Sequence, residues 1–232
     1  MLITLLFNNC TFTIGDKIKG NGDITTEQRA VASFNRIDVS GVFTVYLSQG
    51  DVESVEVEID SNLQQYVIVK NKGDKLVVDI KHGINFHKTT KNNVYITLKD
   101  INQIDIEGVC TVKTRTALKF DQLKVDASGV SNSTLELYCN RIEVVFSGVG
   151  NIELSGKAID FVIRKSGVGS VKATNLNAEN VSIKNSGVGS AEIYASKELT
   201  IVNSGVGSIT YSGDATIKSI NSDGVGKIKK LE

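Results

Sequence analysis

Four tetrads decide the fold: Ser147-Gly148-Val149-Gly150, Ser166-Gly167-Val168-Gly169, Ser186-Gly187-Val188-Gly189 and Ser204-Gly205-Val206-Gly207. Near-copies stand upstream at Glu107-Gly108-Val109-Cys110 and Ser128-Gly129-Val130-Ser131, and downstream at Asp223-Gly224-Val225-Gly226. The shared glycine falls at Gly108, Gly129, Gly148, Gly167, Gly187, Gly205 and Gly224, with spacings of 21, 19, 19, 20, 18 and 19 residues. A fixed period of this length is the mark of a repeat architecture, in which each unit completes its core only by stacking on the next.

Each repeat has internal order. Five and three residues before the serine stand apolar pairs: Leu123/Val125, Ile142/Val144, Phe161/Ile163, Val181/Ile183 and Leu199/Ile201. A gap of two is the strand period, so each pair faces one side. The end repeats keep half the pair, Asn102 with Ile104 and Lys218 with Ile220, as atypical end coils would. Five and seven residues after the serine come Val112/Thr114, Ile152/Leu154, Val171/Ala173, Ala191/Ile193 and Ile209/Tyr211, a second inward strand. The tetrad between them reads as a coil turn, its glycine supplying a positive φ or a tight bend.

No repeat carries a helical apolar stripe, which excludes leucine-rich repeats, and propeller blades need about twice this period. The expectation is an all-β chain folded as a parallel β-helix, a β-solenoid with coils of about 19 residues that stack about 4.8 Å apart. Composition agrees. The 232 residues include 21 Gly, no Pro and no Trp. Proline removes a ladder N–H, so its absence suits a chain whose segments pair on both sides. With 26 basic and 26 acidic residues, there is no global field to draw nucleic acid, and no nucleic-acid partner is expected.

Three domains of sequence follow. Residues 1–17 form a leader and linker, 18–106 an irregular N-terminal β cap, and 107–232 the regular coils, continuous with the cap. In the cap, strands are expected at 34–39, 42–47, 55–59, 66–69, 76–80 and 94–98, separated by turn signals such as Gln49-Gly50-Asp51 and Lys72-Gly73-Asp74. In the leader, the apolar run Met1–Phe7 precedes Asn8, Asn9 and Cys10. It reads either as the tail of a lipoprotein-type signal, with Cys10 the lipid attachment point and a membrane tether, or as a first β-strand. Cys110 and Cys139 are 29 residues apart and read as a disulfide or as two buried thiols.

The segment Gly20–Glu27, the run from Phe34 through Ser40-Gly41-Val42, and the serial Ser-Gly-Val-Gly coils resemble the head GIN domain family of putative auto-transporter adhesins over about residues 18–232. The resemblance implies a β-solenoid exported to the cell envelope of a Gram-negative bacterium, in the periplasm or on the outer membrane, often with a lipoprotein-type signal. It carries no catalytic residue to a position of this chain.

Glu136, Glu143, Glu153 and Glu192 alternate with inward apolar residues, as solvated strand faces do, and Asp126, Asp160 and Asp223 occupy unlike positions in their coils. His82 and His87 stand five apart in an expected loop without a Cys or acidic neighbour. The tetrad is not the Gly-x-Ser-x-Gly of a nucleophile elbow, and its serine recurs too often for one active site. A stacked serine ladder, hydrogen-bonded along the rod, is the simpler reading. Phosphate-loop and calcium-repeat patterns do not match either. The expected function is therefore that of a non-catalytic envelope protein, without cofactor or metal. Its rigid surface would bind a glycan or protein in adhesion. A β-helical carbohydrate-active enzyme is the alternative, and self-assembly through coil ends into homo-oligomers is a third.

Overall fold

The computed structural model describes residues 15–231. The chain is 71% strand and 3% helix, and forms a parallel β-solenoid of about seven turns with coils of about 19 residues. The regular coils arise as the period requires. The strands Val130–Phe146, Val149–Lys165 and Val168–Asn185 each bend around the rod and pair in parallel with the next, residue for equivalent residue. Ile142 thus stacks on Phe161, and Phe161 on Val181. These side chains point inward and join one continuous buried core. A third inward set, which the tetrad spacing did not reveal, comes from positions such as Leu137, Cys139, Ala158, Leu176 and Ala178.

The cap shares this core but not its order. The strands Arg36–Val39 and Val42–Gln49 make a coil of their own, echoed in the sequence by Ser40-Gly41-Val42. On one face they pair in parallel with Gln103–Ile106 and Val109–Thr114. On the other face they pair in parallel with Lys75–Ile80 and Asn92–Leu98. The chain therefore lays down its second layer first, leaves to build the end layer, and returns to start the regular coils. Antiparallel pairs close the end: Ser54–Asp60 lies between Ile24–Arg29 and Asn92–Leu98, and Val67–Lys72 pairs with Lys75–Ile80.

Buried Asp60 ties this cap together. Its carboxylate accepts the Gly22 N–H at 2.6 Å, the Thr90 N–H at 2.8 Å and the Thr90 hydroxyl at 3.1 Å. Burial favours the neutral acid, but these bonds outweigh it and hold the carboxyl below its usual range. A two-stranded parallel sheet, Asp16–Lys19 with Ile84–His87, forms an arm beside the rod. At the far end Thr216–Ser222 and Ile228–Lys230 pair on one side only among the described residues. Ile220 there is 38% exposed.

Cys110 and Cys139 are free thiols, both buried, and burial raises both to about 11. Cys10 lies outside the described residues.

The valine edge, a candidate binding surface

Both tetrad glycines sit where a Cβ would overlap the coil before, and the second also has a positive φ. At the first glycine the corner main chain of each coil presses on that of the coil before it. A Cβ on Gly148 would overlap the carbonyl oxygen of Gly129, and the same holds from Gly108 to Gly224 along the column. The positive φ belongs instead to the second glycine, as at Gly169 with φ 134°. The first is thus required by close approach rather than by a left-handed backbone.

This corner directs the intervening valine outward. The Val149 N–H donates to the Gly129 carbonyl at 2.9 Å, the Val168 N–H to Gly148 at 2.9 Å and the Val188 N–H to Gly167 at 3.0 Å. The side chains consequently stack in one exposed column: Val42, Val109, Val130, Val149, Val168, Val188, Val206 and Val225. Seven of the eight are 44–54% exposed, and Val225 is 72% exposed. At about 4.8 Å per coil the column runs about 34 Å. A contiguous apolar stripe of this kind is a candidate interaction surface, unlike scattered apolar residues. Sequence reading placed these valines inside the turn and passed over them. Their recurrence was visible, but their exposure depends on the corner geometry.

The serine ladder does not form. Ser128, Ser147, Ser166 and Ser186 are exposed. Among the tetrad serines in the described residues, Ser204 alone makes a side-chain hydrogen bond, donating to the Asn185 carbonyl at 3.4 Å. The hydrogen-bonded ladder lies further along the coil. There Asn151 Nδ2 donates to Asn132 Oδ1 at 3.2 Å and Ser170 Oγ donates to Asn151 Oδ1 at 2.6 Å.

The arm converts part of the edge into a groove of about 610 Å³. Val42, Val109, Val130 and Val149 form its floor, and Ile80, Ile84 and Phe86 face them. Ile80 lies directly against Gly41. Lys81 and His82 stand exposed beside the groove, while Asp79 and Glu107 also line it. His87 is exposed at the end of its strand. Among the described residues no three His, Cys, Asp or Glu side chains converge as a metal site.

Carboxylates do recur at equivalent positions, which the sequence reading missed. Asp38, Asp105 and Asp126 stack in register. The signal was present, because each stands two residues before the serine or glutamate of its turn. Cations and an amide occupy this column: Lys75 reaches Asp38 at 3.0 Å, Lys124 reaches Asp126 at 2.9 Å and Gln103 donates to Asp105 at 2.7 Å. Each carboxylate of the column is thus held by an ion pair or an amide, as in a structural ladder rather than an acid–base pair. Glu143 pairs with Arg164, and Glu153 lies 3.9 Å from Lys172.

A second cluster lies on the cap. Glu58 accepts from Lys91 at 2.7 Å, Asn93 at 2.9 Å and the Tyr95 hydroxyl at 2.8 Å, and these partners hold it at about 2. A carboxylate so stabilised is a poor proton donor near neutral pH. Tyr46 and Tyr95 stack at 5.1 Å, with the Arg115 guanidinium 5.6 Å from the Tyr95 centroid. The ring faces that Tyr46 and Tyr95 turn to each other are not free platforms for a sugar.

These features are those of a β-solenoid repeat protein with one exposed apolar edge. The chain belongs to the family described as "putative auto-transporter adhesin, head GIN domain", whose profile matches residues 33–215. A putative adhesin from Bacteroides fragilis is 30% identical, with a TM-score of 0.86, covering 92% of this chain and all of its own. One from Parabacteroides distasonis is 26% identical, with a TM-score of 0.71, covering 93% of this chain and all of its own. A putative lipid binding protein from the same species shares the fold at 20% identity, with a TM-score of 0.75, covering 94% of this chain and all of its own. No curated protein matches. The family's description suggests an exported or surface protein that does not act as an enzyme. No helix among the described residues is long and apolar enough to cross a membrane.

Proposed function

We propose that this protein is a non-catalytic binding module of the cell envelope, adhesin-like, whose working surface is the valine edge. The observation that carries the reading is the unbroken exposure of one valine per coil over eight layers. Burying a methyl-rich column against a ligand gives a favourable free energy of roughly 25 cal/mol per Å² of apolar surface. A solenoid holds that column rigid before contact, so little conformational entropy is lost on binding. The partnered carboxylate ladder supports a non-catalytic role over a β-helical lyase or hydrolase.

The test is retention of beads coated with the full chain on arrays of glycans and matrix proteins, with reducing ends assayed on every glycan hit. Retention without release, lost in Val168→Glu, is the expected result. Reducing-end release would overturn the non-catalytic reading. Retention unchanged in Val168→Glu would remove the valine edge from it.

Tethering through Cys10 completes the envelope reading. Cells expressing the full chain should incorporate labelled palmitate into the wild type and not into Cys10→Ser, with the protein moving from membrane to soluble fractions. A second reading, end-to-end self-association, is favoured by the one-sided strand Thr216–Ser222 with exposed Ile217 and Ile220. Sedimentation showing only monomer at high concentration would exclude it.

A further inference from the structure

The valine edge is the middle of three outward columns. Residues two apart in a strand face one side, so the residues two before and two after each valine flank it. On one flank stand Ser128, Ser147, Ser166 and Ser186, all exposed. Of the tetrad serines among the described residues, only Ser204 spends its hydroxyl on the protein. On the other flank Thr44, Thr111, Asn132, Asn151 and Ser170 stack in register. Asn132 accepts from Asn151 through Oδ1 and keeps both amide N–H groups to donate. The face is thus apolar along its centre, with hydroxyls and amides on both sides. This cross-section recurs at every coil, about 4.8 Å apart.

A surface that repeats its contacts along the rod suits a polymer that repeats its own. An extended peptide is a poor match on two counts. Its side chains recur on one face about every 6.7 Å rather than about every 4.8 Å. Strand addition also needs free main-chain groups. The N–H groups of the seven valines from Val109 to Val225 already donate to a glycine carbonyl of the coil before, at 2.7–3.0 Å. A broad folded partner is kept from half the edge, because the arm walls its first four layers through Ile84 and Phe86. An anionic polymer is disfavoured there too. The groove holds two carboxylates, Asp79 and Glu107, beside one lysine, Lys81, and the imidazole of His82. What remains is a narrow, uncharged ribbon, apolar on its flat side and rich in hydroxyls along both edges.

A hexopyranose chain linked through equatorial oxygens has this form. Axial C–H groups make its faces apolar, equatorial hydroxyls line its edges, and each sugar advances it by close to one coil spacing. We propose that the edge binds such a linear, uncharged polysaccharide lengthwise, roughly one sugar to each coil. Ring faces lie on the valines, and hydroxyls bond to the serine column on one side and the Thr44–Ser170 column on the other. Under the arm the same chain meets Asp79, Asn85 and Glu107, side chains able to bond sugar hydroxyls. The inference rests on the valine edge as the working surface and names the ligand class it takes.

The probes are β-1,4-linked hexamers of glucose, mannose and N-acetylglucosamine, titrated into the full chain and followed by calorimetry, with the dimer and tetramer of each. The α-1,4-linked glucose hexamer, which coils, and a β-1,4-linked mannuronate hexamer, which is anionic, are the controls. Saturable binding of at least one neutral β-linked hexamer is expected. It should be at least about tenfold tighter than binding of its dimer, because each further coil adds an equivalent contact. Replacing Ser147, Ser166 and Ser186 together by Ala should weaken the hexamer severalfold, and Val168→Glu should abolish its binding. Val52→Glu, at a 75% exposed valine off the edge, should leave it unchanged. All these sites are exposed, so the variants should fold, and equal melting temperatures would verify this. The proposal is overturned if no neutral β-linked hexamer binds or if the α-linked or anionic hexamer binds as tightly. Affinity that stops rising at the dimer, or no loss in the serine variant, would also overturn it. If bead retention is lost in Val168→Glu while no neutral hexamer binds, the polysaccharide inference fails and the adhesive edge stands. A hexamer bound equally by Val168→Glu would remove the edge itself.

Discussion

At the residue scale, two inward positions show how little tolerance the coil stack has. Gly148 sits where the carbonyl of Gly129 leaves no room for a methyl group. Gly148→Ala must therefore move the main chain of a corner shared by neighbouring coils, and should cost at least about 3 kcal/mol in urea unfolding. Gly22→Ala is the control. Its φ is +85° but the space around it is open, so the cost should be about 1–2 kcal/mol from backbone strain alone. Lys165 is the second case. It is 1% exposed, within the column that holds Phe146, Asn185 and Asn203, and its Nζ donates to the Val188 carbonyl at 2.8 Å and the Gly167 carbonyl at 3.3 Å. Burial lowers its pKa from 10.5. Between the lowered folded value and 10.5 the unfolded chain holds more protons than the folded one, so stability rises with pH through that window. Both carbonyls also accept main-chain N–H groups, so Lys165→Met leaves no orphaned acceptor. The variant should be more stable near neutral pH, and its alkaline rise should vanish, measured by denaturant melts across pH.

At the scale of the element, the strength of a coil depends on having neighbours on both sides. Ile163 is buried between Val144 and Ile183. Ile220 lies against Ile201 and is more than a third exposed. Ile163→Ala should cost about 2–5 kcal/mol, and Ile220→Ala no more than about 1 kcal/mol. Urea titrations of both variants check this. Equal losses would mean that the end coil is covered in solution. Interior polar atoms mark where the inward pattern lapses. Ser131 and Ser133 fill inward positions with buried, unpartnered hydroxyls. That coil is one of two, with the last, whose second apolar pair is incomplete in the sequence.

Across the whole molecule, the cap and the far end are unlike in kind. The coil 36–49 depends on the later strands Lys75–Ile80 and Asn92–Leu98 to cover its outer edge. Deleting 51–98 strips that cover and should give a chain that fails to fold, seen as loss of the β circular-dichroism signal. Ending the chain at Ser212 removes a layer paired on one side only and should leave a folded, less stable rod, as nearest-neighbour stacking requires. A cooperative collapse on losing that last layer would show the stack to be far more coupled than nearest-neighbour terms allow.

The sequence by itself determined the period, the parallel coil and the inward residues of two sides, because in-register stacking repeats the same physical demand every 19 residues or so. In the cap, Val55-Glu56-Val57-Glu58-Ile59 was legible from alternation, and the other expected strands from apolar runs bounded by turn signals such as Gln49-Gly50-Asp51. Only the tertiary structure decided the order of the layers in the cap, since pairing between 36–49, 75–98 and 103–114 has no period to announce it. It alone decided that Gly148 is needed for close approach, and Gly169 for both close approach and its φ. It also decided that the turn valines face water. In sequence an apolar residue between glycines reads as buried or neutral. In the fold, the corner spends its N–H and carbonyl groups along the rod and leaves the side chain nowhere to point but outward.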